Sequence, residues 1–164
     1  MPQGVEVARK SSHGFISAVM YCGLIIGTLD IIAAFSQSLL RGGDPVAMLK
    51  FIASGIFGPG AFKGGTVYAV IGLLFHYCIA TIWALILFLV YPKISFNHRW
   101  VLVGIGYGVF VWIVMNFAVL PLSNTPALPR VIGWTMLISI LIIVIAIGLP
   151  AAYLAHRYYR NTTR

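Results

Sequence analysis

Four long apolar runs constrain the fold of this chain more than any other feature of its sequence. They cover residues about 14–40, 65–91, 101–120 and 133–155, and we call them spans 1 to 4. Each is long enough to cross about 30 Å of hydrocarbon as a helix of about 20 residues. None shows the alternation of polar and apolar residues that is typical of membrane strands. The sequence therefore predicts an all-α fold, a four-transmembrane-helix bundle that forms a single integral membrane domain over residues 1–164.

The formal net charge is +8, and the basic residues flank the apolar runs instead of forming a patch interleaved with aromatic side chains. This pattern favours contact with the lipid bilayer and argues against nucleic-acid binding. Four spans put both termini and the loop between spans 2 and 3 on one side, which then carries seven of the eleven Lys and Arg residues. The positive-inside rule predicts that both termini are cytoplasmic. The four basic residues of the opposite side are Arg41, Lys50, Lys63 and Arg130.

Residues about 45–57, between spans 1 and 2, carry the signals of a short helix. Asp44 followed by Pro45 is typical of an N-cap with proline at the first helical position, and Gly58 ends the pattern. Apolar residues recur at helical spacing, while Lys50 and Ser54 fall on another face. We predict an interfacial amphipathic helix that either caps the bundle or acts as a lid over a cavity. Its apolar residues are Val46, Leu49, Ile52, Ala53 and Ile56.

Two ionisable residues, Asp30 in span 1 and His76 in span 2, lie deep inside apolar sequence. Each falls on a stripe of small residues, which in membrane helices marks a close approach of backbones. Neither is expected to face lipid, because a charge in hydrocarbon is unfavourable, so we expect both to be buried in the packing faces. The small residues of these packing faces include Gly23 and Gly27 in span 1 and Gly72 in span 2.

The depths of Asp30 and His76 match as well. At 1.5 Å per residue, both lie about 15 Å below the surface that carries the loop between spans 1 and 2. We predict that they meet, directly or through one water, and share one proton as a coupled pair. One interpretation is a site that binds a proton or an unknown small ligand, as part of an oligomeric transporter or channel. The alternative is a structural or accessory subunit in which the pair only fixes helix packing. Asn116 in span 3 could extend the polar cluster.

Few residues of this chain are suited to catalysis. It has three acidic residues, Glu6, Asp30 and Asp44, and it lacks zinc-protease, CxxC, nucleotide-loop and serine-elbow motifs. Asp30 and His76 alone would leave a metal ion under-liganded, and His76 has no second histidine at its depth to hold a haem. We therefore predict no enzymatic activity, no metal and no cofactor. Cys22 and Cys78 are interpreted as small buried apolar residues.

Span 3 has a further pair of glycines, Gly104 and Gly108, at the spacing of a helix-packing motif. Four helices leave little room for a private permeation path. The pair is therefore interpreted as a packing surface that a second copy of the chain could use, giving a homodimer.

The chain from span 2 onward, about its last two thirds, resembles a known family. The features are His76 within a span, Tyr91-Pro92-Lys93-Ile94 after it, and Pro121-Leu122 with Thr125-Pro126 after span 3. Together they are similar to the YagU-like family of bacterial inner-membrane proteins, whose function is not known. The resemblance implies a location in the bacterial inner membrane and assigns no catalytic residue.

Overall fold

The computed structural model describes the backbone of residues 3–94, 99–126 and 133–162, and the side chains of these ranges from residue 14 to residue 161. Within these ranges the chain is helical and contains no strand, which confirms the predicted all-α fold. Four helical segments are long and apolar enough to cross a membrane, and the shorter helix lies between the first two. These segments are Gly14–Leu40, Val67–Lys93, Trp100–Leu122 and Trp134–Asn161, and they keep the names span 1 to span 4.

Eight α-helices follow one another in the described ranges. The first four are α1 (Gln3–Leu40), α2 (Pro45–Phe57), α3 (Gly60–Lys63) and α4 (Val67–Val90), and a 3₁₀ turn, Tyr91–Lys93, extends α4. The second half has α5 (Trp100–Val114), α6 (Leu120–Leu122), α7 (Trp134–Ile143) and α8 (Leu149–Thr162). A π-helical turn, π1 (Met115–Val119), joins α5 to α6, and a second, π2 (Val144–Gly148), joins α7 to α8.

Both π turns are followed by a Leu-Pro pair, Leu120-Pro121 and Leu149-Pro150. A proline inside a helix has no N–H to donate, and its ring collides with the carbonyl four residues earlier. A wider turn ahead of the proline relieves that collision, and here the N–H of Leu120 reaches back to the Met115 carbonyl. Pro121 therefore lies inside the end of span 3, whereas the sequence pattern ends that span at about residue 120.

Spans 3 and 4 are in close contact through glycines. A Cβ atom added to Gly104 would lie 2.9 Å from the Leu149 Cα atom, and one added to Gly108 would lie 2.6 Å from the Val144 Cα atom. Gly148 of span 4 lies against the backbone of both glycines. Gly104 and Gly108 are thus covered by span 4 of the same chain, so a homodimer could not form on this surface as the sequence suggested. A homodimer through another face stays a prediction.

An aromatic cluster holds the end of the bundle at which span 1 begins. Phe15 packs edge-on against Phe88 and Tyr158, and Tyr91 stacks on Tyr159 with ring centroids 6.0 Å apart. The Tyr159 hydroxyl donates a hydrogen bond of 2.6 Å to the Phe88 carbonyl. These contacts explain why the last helix continues past residue 155, where the apolar run ends, to Thr162. We call this end the terminal end, and the opposite end, which carries α2, the loop-1 end.

The helix α2 begins as predicted, because the Asp44 carboxylate accepts hydrogen bonds from the backbone N–H groups of Val46 and Ala47. Its buried face is different from the predicted one. Ser54 is fully buried beside Ala53, while Val46 and Ile56 are exposed. The polar groups can face inward because each has a partner: the Ser54 hydroxyl donates to the Phe51 carbonyl at 2.6 Å.

Two connections fix α2 in place at the loop-1 end. Lys50 Nζ donates a hydrogen bond of 2.8 Å to the Gly64 carbonyl, which joins α2 to the start of span 2. The backbone N–H of Asn124, just after span 3, donates to the Gly55 carbonyl at 3.0 Å. The helix α2 thus packs against the bundle at its loop-1 end. Its position at the membrane surface stays a prediction.

Candidate functional site

The approach of spans 1 and 2 creates the setting of Asp30 and His76. A methyl group on Gly23 would meet the Thr81 backbone at 2.8 Å, and one on Gly27 would meet the Tyr77 ring at 2.8 Å. Just over one turn before Tyr77 in span 2, Gly72 lies against the Leu49 carbonyl of α2. Small residues at these three positions let the backbones of the three helices approach, as the stripe pattern indicates.

His76 uses this approach to bond across the two helices. Its Nε2 atom lies 2.8 Å from the Gly27 carbonyl oxygen. Because a carbonyl only accepts, Nε2 must carry the proton, and this fixes the neutral ring in one tautomer. Nδ1 is then the atom that can accept or release a proton. A second link, 3.0 Å between the Thr28 and Tyr77 hydroxyls, joins the same helices.

Asp30 lies near His76 without bonding to it. The two side chains are near enough to interact electrostatically when both are charged. Among the residues that the structure describes, none forms a hydrogen bond or an ion pair with Asp30. Both side chains are half-buried. The expectation that both are buried in the packing faces is therefore wrong. Small residues bring spans 1 and 2 together, and this contact covers each ionisable side chain only in part.

Asn116 does not join this pair, and it lines a separate cleft of about 450 Å³. The cleft lies toward the loop-1 end, between spans 1, 3 and 4, beside the turn before α2. Ala34 forms part of its wall, one helical turn from Asp30, but Asp30 and His76 do not line it. Its lining residues are Ala34, Gln37, Ser38, Arg41, Gly43, Met48, Trp112, Asn116, Ser139, Ile142 and Ile143.

The backbone at Asn116 has an unusual feature that sequence reasoning missed. The N–H of Leu120, which an α-helix would direct to the Asn116 carbonyl, goes to Met115, and Pro121 has no N–H to replace it. No side chain in the described ranges donates to this carbonyl, and the side-chain amide of Asn116 is itself bonded to the Trp112 carbonyl at 2.8 Å. The signal in the sequence is Pro121, which the apolar pattern places just after span 3.

The sequence also led to expectations about the two cysteines and about metal ligands. Cys22 is buried as expected, but Cys78 is exposed, because it lies outside the packing face of span 2. No group of three His, Cys, Asp or Glu side chains that could hold a metal occurs in the described ranges.

The fold and these sites are those of a small polytopic integral membrane protein. The chain matches no protein-family model, no curated protein and no solved structure in the three comparisons made with known proteins. The resemblance to YagU-like proteins is thus neither supported nor opposed by them and stays a prediction.

Proposed function

We propose that this chain binds a proton or a small ligand at Asp30 and His76, as a component of an oligomeric transporter or channel. The observation that carries the proposal is the bond between His76 Nε2 and the Gly27 carbonyl. It holds the imidazole beside Asp30 and leaves Nδ1 and the Asp30 carboxylate as groups that can exchange a proton.

The energetics of a membrane interior support a functional use of this pair. A carboxylate without a hydrogen bond is unfavourable in hydrocarbon, so such groups are rare and mark ion or proton pathways. Two neighbouring titratable groups can share one proton and titrate together. Half-burial leaves part of each side chain uncovered by the rest of this chain, where a ligand or a second subunit of the oligomer would contact it.

The second candidate is an accessory or structural subunit, and one observation favours it. The His76–Gly27 bond and the Thr28–Tyr77 bond together join spans 1 and 2 at one level. Interhelical hydrogen bonds of this kind contribute about 0.6–2 kcal/mol in membranes. In an accessory subunit the imidazole would serve only to donate a hydrogen bond to the Gly27 carbonyl. Proton exchange at Nδ1 would have no role.

Two substitutions separate these functions. Asp30→Asn removes the ionisable group, and His76→Gln keeps an amide N–H for Gly27 while removing proton exchange. We expect both variants to remain folded and to lose proton uptake in liposomes loaded with a pH-sensitive dye. Asp44→Asn is the control, because Asp44 only caps α2. Proton uptake that survives both substitutions, or that the wild type never shows, would rule out the proton-binding function and favour the accessory one.

The remaining parts of the proposal concern reaction class and location. With three acidic residues in the sequence, we propose no catalytic activity. The excess of basic residues beside the terminal end supports a cytoplasmic location of both termini. The bacterial inner membrane is proposed only from the YagU-like resemblance.

A further inference from the structure

The cleft between spans 1, 3 and 4 is independent of the Asp30–His76 pair and has its own chemistry. It holds about 450 Å³, and it is open to its surroundings rather than enclosed. Its unpaired polar side chains lie toward the loop-1 end, and most of its apolar groups lie deeper. This separation indicates what kind of molecule fits it.

The polar groups gather at the loop-1 end. Arg41 follows Leu40, the last residue of α1, and is exposed at the level where lipid headgroups lie. Gln37 and Ser38 stand within one turn of it. No residue in the described part of the chain forms an ion pair or hydrogen bond with the side chains of Arg41, Gln37 or Ser38. A cation with two neighbouring donors is a group that binds phosphate oxygens.

The deeper wall is mostly apolar, and the side chains of its two polar residues, Asn116 and Ser139, already donate to the carbonyls of Trp112 and Met136. Ala34 lies six residues before Leu40, which places it about 9 Å below the end of the helix. Met48, Ile142 and Ile143 form the same wall from α2 and span 4. The indole N–H of Trp112 is already bonded to the Ser139 hydroxyl at 2.9 Å, so the ring adds apolar surface here. A hydrocarbon chain fits this wall better than a soluble ion does.

We propose that the cleft binds an anionic phospholipid from the surrounding bilayer. Arg41, Ser38 and Gln37 donate to its phosphate oxygens, and one acyl chain lies against Ala34, Met48 and Ile143. Charge complementarity at Arg41 selects an anionic headgroup over a zwitterionic one, and the apolar wall selects a lipid over a free anion.

Native mass spectrometry of the full chain in mild detergent tests this proposal. Phosphatidylglycerol and phosphatidylcholine with identical acyl chains are added in turn, and inorganic phosphate is added alone. We expect at least fivefold tighter binding of phosphatidylglycerol than of phosphatidylcholine, since a basic residue at the membrane surface contributes about that factor. Arg41→Gln should abolish the preference. Lys63→Gln, which removes an exposed charge at the same end but outside the cleft, should keep it.

A second variant tests the apolar wall. Ala34→Phe should fill the cleft and weaken both lipids, while circular dichroism and the melting temperature report that the bundle remains folded. Equal binding of the two lipids by the wild type would overturn the proposal. So would an equal loss of preference in Arg41→Gln and Lys63→Gln, or binding of inorganic phosphate as tight as that of phosphatidylglycerol.

Discussion

At the scale of single residues, glycines decide how closely the helices of this bundle approach. Gly108 is pressed against the Val144 backbone, whereas Gly106, two residues earlier on the same helix, has nothing within 4 Å of an added Cβ atom. The two positions share a helix, a depth and an amino-acid type. They differ only in what covers them, so they form a matched pair.

We predict opposite effects for alanine at these two positions. Gly108→Ala must push spans 3 and 4 apart, and overpacking of this kind is unfavourable by about 1–3 kcal/mol. Gly106→Ala should stabilise the helix by up to about 1 kcal/mol, because alanine loses less backbone entropy. The melting temperature in detergent should fall for the first variant and rise for the second. A fall of the same size for both would contradict the packing of span 3 on span 4.

The same residues show what the sequence could and could not predict. The Gly104/Gly108 spacing correctly indicated a face for close helix packing, but nothing local states which helix covers it. For Asp30 and His76, periodicity predicted a shared depth and facing stripes. It could not predict that His76 bonds to the Gly27 backbone, because a bond to a carbonyl leaves no trace in side-chain identity.

At the scale of elements, the two π turns show how spans 3 and 4 accommodate proline. In each, the residue after the turn donates to a carbonyl five residues back, Leu120 to Met115 and Leu149 to Val144. The sequence predicted four spans correctly because hydropathy integrates over a whole helix. It misplaced Pro121 because a proline near a run's end is equally compatible with a loop.

Pro121→Ala should convert π1 into regular α-helix. The new N–H at residue 121 can donate to a carbonyl, and Leu120 is free to pair with Asn116. We expect slower hydrogen–deuterium exchange over residues 119–123. Pro45→Ala is the control, because Pro45 occupies the first turn of α2, where no N–H is required. Unchanged exchange in Pro121→Ala would mean that the proline is not the cause of the wide turn.

At the scale of the whole molecule, four helices that each cross the membrane would bring both ends of the described chain to the same side. The basic residues predict which side. Large apolar side chains such as Leu74, Phe117 and Ile145 are exposed around the bundle, where lipid would cover them.

The orientation can be measured with reporter fusions. A periplasmic phosphatase inserted after Gly60, in the connection between spans 1 and 2, should be active in a bacterial host. A fluorescent protein fused after Arg164 should also be active, because it folds only in the cytoplasm. Activity of neither reporter, with both fusions expressed at normal levels, would show that the orientation is reversed.

The aromatic cluster at the terminal end has a consequence for how the protein is made. Phe15 belongs to the first span to leave the ribosome, and its partner Tyr158 belongs to the last of the four. Spans 1 to 3 must therefore wait in the bilayer with part of their packing surface unfilled until span 4 is synthesised. During that interval the nascent chain is exposed to membrane proteases and quality control. We therefore expect the yield of folded protein to depend on how soon span 4 follows span 3 into the bilayer.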